Sequence, residues 1–199
     1  MTQTPAPRPR ALVVIDVQDG FDDAAYWGPS ANPDAETNVK ALLGHWAVHR
    51  PGPIVVVRHD AAAAASPLHP AQPGNRLKTF IDPDAADLLV AKNVNSAFYG
   101  DPDLHTWLTA EGVSELVICG IQTNMCVETT ARMAGNLGYR VTVALDATRT
   151  FDLTTQLPDG EVTQKAADLM RVTALNLQAG RFATITTTAD LLSTPHDND

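Results

Sequence analysis

The sequence predicts an α/β fold with a parallel sheet, and two observations support this prediction. First, short apolar runs such as ALVVIDV at 11–17 show no polar alternation, which is typical of strands buried on both faces. Second, segments with apolar residues at helical spacing lie between these runs, and such an alternation indicates βαβ units. These units have right-handed crossovers, and their ligands bind beyond the carboxyl ends of the strands.

Six apolar runs are predicted to be strands. They are 11–17, 53–59, 88–92, 115–120, 140–146 and 182–187. A helix is predicted to start at Asn32-Pro33, and three others are predicted at 102–111, 124–137 and 161–178. The last of these helices would place Val162, Ala166, Leu169 and Val172 on one buried stripe. Residues 60–87 are predicted to form an irregular loop of functional length.

The composition limits the classes of function. The chain has 199 residues, of which 44% are hydrophobic, and a formal net charge of −9. It is long enough for one domain with a sizeable core, and its charge argues against nucleic-acid or anionic-membrane partners. No run approaches the roughly 18 apolar residues of a membrane helix. We expect a cytoplasmic protein with a disordered leader at 1–10, a single domain at 11–193 and a flexible tail at 194–199.

Three polar residues are predicted to meet at one edge of the sheet. Asp16 lies near the end of the first strand, Lys92 closes the third strand, and Cys126 follows the fourth. A cysteine attacks as a thiolate, and the first turn of a helix favours that thiolate. Asp16 is a suitable proton acceptor, Lys92 can stabilise the charged pair, and backbone amides around 122–126 can hold an oxyanion. Cys126 is therefore a candidate nucleophile.

Each of these residues also has a structural interpretation. A lone cysteine at a strand–helix junction is more often structural than catalytic, and Lys92 alone is equally consistent with a solvated strand end. Asp16 is harder to explain in this way, because an unpaired buried carboxylate is costly. Cys119 lies within an apolar strand and is predicted to be inert. Several residues near the predicted edge are candidates for a substrate pocket, although the aromatic ones fit an ordinary core equally well: Gln18, Phe21, Tyr26, Trp27, Phe98 and Tyr99.

No metal or cofactor motif is present in the sequence. The histidines show no H-x-H or H-E-x-x-H spacing, and there is no G-x-G-x-x-G segment or Walker loop. His59 and Asp60 are adjacent in a predicted strand, so their side chains should point to opposite faces. We therefore expect neither a metal ion nor a cofactor.

Four segments together resemble the isochorismatase-like cysteine hydrolases. They are ALVVIDVQDGF, AKNVNSAFYG, VICGIQTNMCVETTARMAGNLGY and VALDATRTFD, and they occur in the order and spacing of that family. The resemblance implies a three-layer α/β/α sandwich around a six-stranded parallel sheet with Rossmann-type winding. It also implies a small-molecule substrate and a homodimer or larger homo-oligomer.

The resemblance further implies roles for particular residues. Asp16, Lys92 and Cys126 match the catalytic triad of the family. The peptide bond between Ile121 and Gln122 matches the position of a cis peptide bond. The backbone amides of Gln122 and Cys126 would form the oxyanion hole.

Two departures from family patterns narrow the expected chemistry. Isochorismatases that cleave a vinyl ether lack the nucleophilic cysteine, whereas this chain has Cys126 at that position. Nicotinamidases of the family carry an Asp-x-His metal motif after the second strand, and this chain has Arg58-His59-Asp60 there instead. We therefore expect a cofactor-independent hydrolase of small amide or carbamoyl C–N bonds, akin to N-carbamoylsarcosine amidohydrolase. Two alternatives stay open. One is a vinyl-ether hydrolase with Asp16 as the acid, and the other is a catalytically silent binding protein of the same fold.

Overall fold

The computed structural model describes residues 9–193 of the chain. The predicted tail at 194–199 lies outside the described residues, as does the predicted leader except for residues 9 and 10. The first strand begins at Arg10, one residue before its predicted start. Within the described part, no helix has the length and apolar character needed to cross a membrane.

A mostly parallel sheet forms the centre of the fold. The strands of residues 9–193 are β1 (Arg10–Ile15), β2 (Ser30–Ala31), β3 (Ile54–His59), β4 (Leu88–Lys92), β5 (Glu115–Ile121), β6 (Arg140–Phe151), β7 (Leu153–Leu157), β8 (Gly160–Gln164) and β9 (Thr184–Thr186). Parallel pairing joins six of them in the order β9-β6-β5-β1-β3-β4. The short β2 adds an antiparallel edge to the far end of β6. The predicted α/β fold with a parallel sheet is confirmed.

Helices cover both faces of this sheet. They are α1 (Ala24–Trp27), α2 (Ala35–His49), α3 (Leu104–Ala110), α4 (Glu128–Asn136), α5 (Ala166–Ala179) and α6 (Thr188–Ser193). Alternate residues of β1 point to opposite faces, as the pleat requires. Val13 and Ile15 belong to the core under α3, α4 and α5, whereas Leu12 and Val14 belong to the core under α2 and α6. The result is a three-layer arrangement with the sheet in the middle.

The helix predicted at 124–137 differs at its start. It begins as a π-helical turn, Thr123–Val127, which leads into α4. The neighbouring strand β6 is longer than the predicted 140–146, and its pairing with β5 shifts register between Ile118 and Gly120. Both irregularities lie at the carboxyl edge of the sheet, where functional sites of this fold class occur.

The helix predicted at 161–178 is wrong in its first turn and in its buried face. Residues 160–164 pair with β7 in a separate two-stranded hairpin, so α5 begins only at Ala166. Threonine and valine in the two strands flank a Pro158-Asp159 turn, and this composition favours a hairpin over a helix. Val162 and Val172 are exposed, whereas the buried stripe of α5 is Ala166, Met170, Thr173 and Leu177.

Candidate active site

The three polar residues predicted to meet do lie together at the carboxyl edge of the sheet. Asp16 follows β1, Lys92 ends β4, and Cys126 lies in the π-helical turn after β5. The Lys92 Nζ atom is 2.6 Å from Asp16 Oδ2 and 3.4 Å from Cys126 Sγ. The side chains of Asp16 and Lys92 are fully buried. The structure thus brings a carboxylate, an ammonium group and a thiol into one water-shielded cluster.

Backbone geometry at two strand ends makes this cluster possible. Asp16 has a φ of 53°, a left-handed conformation that turns the chain as it leaves β1. Gly120, near the end of β5, has a φ of 120°, and a Cβ atom there would lie 2.0 Å from the carbonyl oxygen of Ile15. Only glycine therefore allows β5 to approach β1 at this point. The close approach carries the Cys126 turn towards Asp16.

The turn that carries Cys126 is tied to the neighbouring strand. The peptide bond between Ile121 and Gln122 is cis, at the position that the family resemblance implies. Thr123, the next residue, is fully buried, and its hydroxyl donates a hydrogen bond to Thr148 Oγ1 of β6 at 2.8 Å. This hydrogen bond holds the start of the turn against β6.

His59 is a fourth member of the cluster. The sequence analysis considered it only as a metal ligand and found no suitable partner for it. Its Nδ1 atom is 3.0 Å from Lys92 Nζ and 4.0 Å from Asp16 Oδ2. The three hydrogens of the Lys92 ammonium therefore have three acceptors. The signal that would have found His59 is strand order: β3 pairs with β4 in a register that places His59 opposite Lys92.

Burial changes the protonation preferences of these groups. Burial raises the pKa of Asp16 above its usual value, although the Lys92 ammonium acts in the opposite direction. Burial, reinforced by the Asp16 carboxylate, raises the pKa of the Cys126 thiol to about 12. Asp16 and Cys126 together therefore favour one negative charge, shared between the carboxyl and the thiol, beside the Lys92 ammonium. Burial and the Lys92 charge lower the pKa of His59, so its ring is neutral at pH 7.

This result corrects the expectation that a helix terminus lowers the thiol pKa. Cys126 is only 7% exposed and lies beside a carboxylate, so desolvation outweighs the dipole of a short turn. Burial and the Asp16 carboxylate thus favour the protonated thiol in the free protein. A proton acceptor is close by: Asp16 Oδ1 is buried and has no hydrogen-bond partner among residues 9–193.

Cys126 lines a cavity of about 560 Å³. One wall consists of four aromatic side chains, Phe21, Tyr26, Trp27 and Phe151. The Trp27 ring centroid is 4.9 Å from that of Phe21 and 5.4 Å from that of Phe151, and the Trp27 indole N–H donates to the Gly20 carbonyl at 2.8 Å. The other lining residues are His59, Leu68, Asn95, Gln122, Met125, Asp152, Leu153 and Thr154.

Three of the predicted pocket residues, Phe21, Tyr26 and Trp27, line this cavity, but Phe98 and Tyr99 do not. Phe98 is buried in the core, where its ring stacks on Tyr139 at 5.9 Å. Tyr99 is 71% exposed at the surface. Neither residue therefore faces the cavity beside Cys126, because closeness to Lys92 in sequence does not determine which way a side chain points.

Gln18 also does not line the cavity. It is fully buried, and its Nε2 donates to the carbonyls of His59 and Asn75 at 3.0 and 2.8 Å. Its Oε1 accepts the His59 N–H at 2.8 Å. The side chain of Gln18, which was predicted to line the pocket, thus holds the end of β3 and does not face this cavity.

Several cavity residues were missed by the sequence analysis. Phe151 belongs to the motif VALDATRTFD, which was a signal that could have identified it. Leu153 and Thr154 come from β7, a segment for which the sequence analysis predicted no element. Leu68 comes from the irregular loop at 60–87, for which we expected a functional role.

Within residues 9–193, Asp16, His59 and Cys126 are the group of side chains that could hold a metal ion, with ligand atoms within 4.8 Å of one another. The Lys92 ammonium already lies within hydrogen-bond distance of all three. A cation would have to displace that ammonium. Asp60, the neighbour of His59, is paired instead with Arg58 at 2.8 Å.

Comparison with known proteins gives one consistent result. A family model described as the isochorismatase domain matches residues 10–190. The isochorismatase family protein YrdC of Bacillus subtilis is 33% identical over 184 residues, which cover 92% of this chain and 95% of that protein. A streptothricin hydrolase of Streptomyces noursei is 36% identical over 145 residues, which cover 72% of this chain and 51% of that protein.

Solved structures agree with the sequence relatives. A crystal structure from Chromobacterium violaceum, described as a hydrolase of the isochorismatase family, has a TM-score of 0.82 and 35% identity, and the match covers 96% of this chain and 94% of that one. The N-carbamoylsarcosine amidase of Thermoplasma acidophilum has a TM-score of 0.67 at 22% identity, with 90% and 96% coverage, and shares the fold.

Proposed function

The chain belongs to the isochorismatase family of hydrolases, and we propose that it is a cysteine hydrolase that cleaves a C–N bond of a small amide or carbamoyl compound. One observation carries this proposal: the Lys92 ammonium lies between the buried Asp16 carboxylate and the Cys126 sulfur, at the wall of a cavity. A purely structural ion pair has no need of a thiol at that point. A relative named as a hydrolase, from Streptomyces noursei, supports the same class of reaction.

In the first half of the reaction, Asp16 takes the proton of the Cys126 thiol as the sulfur attacks the carbonyl carbon of the substrate. A carboxyl whose pKa is raised by burial is a stronger base than an ordinary one, which favours this transfer. The Lys92 ammonium stabilises the negative charge that moves from Asp16 to sulfur. The backbone amides of Gln122 and Cys126 hold the oxyanion of the tetrahedral intermediate.

In the second half, the C–N bond breaks and Asp16 returns its proton to the departing amine, which leaves an acyl group on the Cys126 sulfur. Water then attacks this thioester while Asp16 takes one of the water protons. The S–C bond breaks, the acid product is released, and the proton returns to Cys126. Every proton is thus transferred through one carboxyl group beside Lys92.

The cavity wall favours an uncharged or cationic substrate with a flat apolar part. Its aromatic side chains offer faces for stacking, and no lysine or arginine of residues 9–193 lines it. Arg149 lies behind the wall, where it donates to the Phe21 carbonyl at 2.9 Å and pairs with Glu36 at 3.2 Å. The single lining acid, Asp152, is paired with Lys165 at 2.8 Å. A substrate carboxylate would find no cation in this wall.

The proposal is tested with a panel of small primary amides and ureas, each supplied with and without an added carboxylate. We expect ammonia release from at least one aromatic or apolar member, and slower release from its carboxylate-bearing counterpart. Rapid acid quenching followed by intact-mass measurement should show an acyl adduct on Cys126. Ammonia release that persists unchanged in a Cys126→Ala variant, or a vinyl-ether substrate that this variant still cleaves, would contradict the proposal.

A further inference from the structure

The backbone of His59 is held more firmly than a surface strand end requires. Both its N–H and its carbonyl are bound by the one amide side chain of Gln18, at 2.8 and 3.0 Å. The carbonyl also accepts from Asn75 Nδ2 at 3.1 Å. Gln18 lies two positions after Asp16, so this clamp fixes the distance between the Asp16 turn and the end of β3.

The contact with Lys92 determines the tautomer of His59. An ammonium group has three donors and no acceptor, so Nδ1 of His59 must accept the hydrogen bond at 3.0 Å with its lone pair. The neutral ring then carries its proton on Nε2. The side chain of His59 is 16% exposed and lines the cavity.

We propose that His59 is a positioning residue of the hydrolase, which acts through Lys92. Its Nδ1 lone pair binds one hydrogen of the ammonium, so that the other two stay directed at Asp16 and Cys126. The inference rests on the proposed function, since it assigns His59 a part in keeping the nucleophile and its base together. This role differs from metal binding, because the partner of His59 Nδ1 is the Lys92 ammonium group.

The geometry explains why this third acceptor matters. Lys92 is buried, and a donor of a buried ammonium that loses its partner is costly. Without the His59 acceptor, the ammonium would reorient to find another partner, and its longest contact, at 3.4 Å to Cys126 Sγ, would be the first to weaken. The Lys92 ammonium would then stabilise negative charge on the Cys126 sulfur less well.

Three substitutions separate this role from simple packing. His59→Asn places an acceptor oxygen near the position of Nδ1, His59→Gln places its amide near Nε2, and His59→Leu has no acceptor. The probe is iodoacetamide, and the readout is the rate of Cys126 alkylation at pH 9 by peptide mass spectrometry, with thermal unfolding measured for every variant. His105→Asn is the matched control, because its ring contacts Tyr139 on a different part of the fold.

We expect the Asn and control variants to react at close to the wild-type rate, and the Gln and Leu variants to react at least about tenfold more slowly, since a hydrogen bond to a charged group is lost. Equal rates in the wild type and the Leu variant would overturn the inference. So would an equal decrease in all three substitutions, because that pattern indicates packing alone.

A second measurement is independent of the nucleophile. The ¹⁵N spectrum of the ring, assigned by the signal that His59→Asn removes, should show the neutral tautomer protonated at Nε2. A proton on Nδ1 would overturn the inference. If the wild-type thiol does not react at all while the Nε2 tautomer is observed, the role of Cys126 in the proposed function fails, and the contact between His59 and Lys92 stands.

Discussion

Strand β5 and the π-helical turn that follows it each bury one cysteine. The two cysteines differ in the charged groups that surround them. Cys119 lies in the apolar core within β5, where its Sγ is 3.9 Å from the Val13 carbonyl oxygen. Cys126 lies in the turn, beside Lys92 and Asp16. Burial raises the thiol pKa at both positions. Burial therefore does not distinguish Cys126 from Cys119, whereas the ammonium and the carboxylate beside Cys126 do.

The largest expected difference in turnover is between the variants that lack one or the other cysteine sulfur. Cys126→Ala should lower turnover of a responsive amide by about 10⁴-fold or more, because loss of a nucleophile removes the covalent pathway. Cys119→Ala should retain turnover and lose only about 1 kcal/mol of stability, since a small buried group is deleted. Steady-state kinetics and chemical unfolding of the two variants check the comparison. Comparable turnover in both variants would remove the distinction between the two sites.

A smaller effect is expected when the proton acceptor beside Cys126 is removed. Asp16→Asn keeps the shape of the side chain and should lower kcat by about 10²–10⁴-fold, the usual worth of general acid–base catalysis. The wild-type kcat/KM should fall as the pH decreases through the pKa of Asp16, because the carboxyl must be ionised to act as a base. Since burial raises that pKa, the loss should begin at a higher pH than for an ordinary aspartate. Wild-type-like activity in the Asn variant would assign the proton transfer to another group.

The two thiols should also differ in native reactivity. Iodoacetamide should label Cys126 in the folded protein and Cys119 only after unfolding, because Cys126 lines the cavity and Cys119 does not. With a thiol pKa of about 12, the labelling rate of Cys126 should rise about tenfold per pH unit between pH 7 and 10. A rate that levels off below pH 9 would show that Lys92 stabilises the thiolate more strongly than burial opposes it.

The smallest expected effect is that of a chelator. Because the Lys92 ammonium lies among Asp16, His59 and Cys126, hydrolysis should be unchanged after prolonged dialysis against EDTA. Ammonia release before and after dialysis is the measurement. Activity that is lost on dialysis and restored by one added divalent metal would show that a cation does enter the cluster.

Local patterns in the chain predicted much of the fold. Continuous apolar runs identified the parallel strands, and β4 in particular ends at Lys92 as predicted. The hairpin at β7 and β8 was missed because Val162 satisfied a helical stripe equally well. A four-residue spacing of apolar side chains does not reveal whether they are buried, and Val162 is exposed.

The sequence by itself determined which residue types stand at the strand ends, and so the candidate set of Asp16, Lys92 and Cys126. Only the tertiary structure decided that His59 joins them, that Gln18 is a clamp and that Phe151 walls the cavity. It also decided that burial and the Asp16 carboxylate raise the pKa of the Cys126 thiol. The physical reason is that strand order, side-chain direction and desolvation depend on contacts between segments far apart in the chain, whereas a sequence pattern reports only near neighbours.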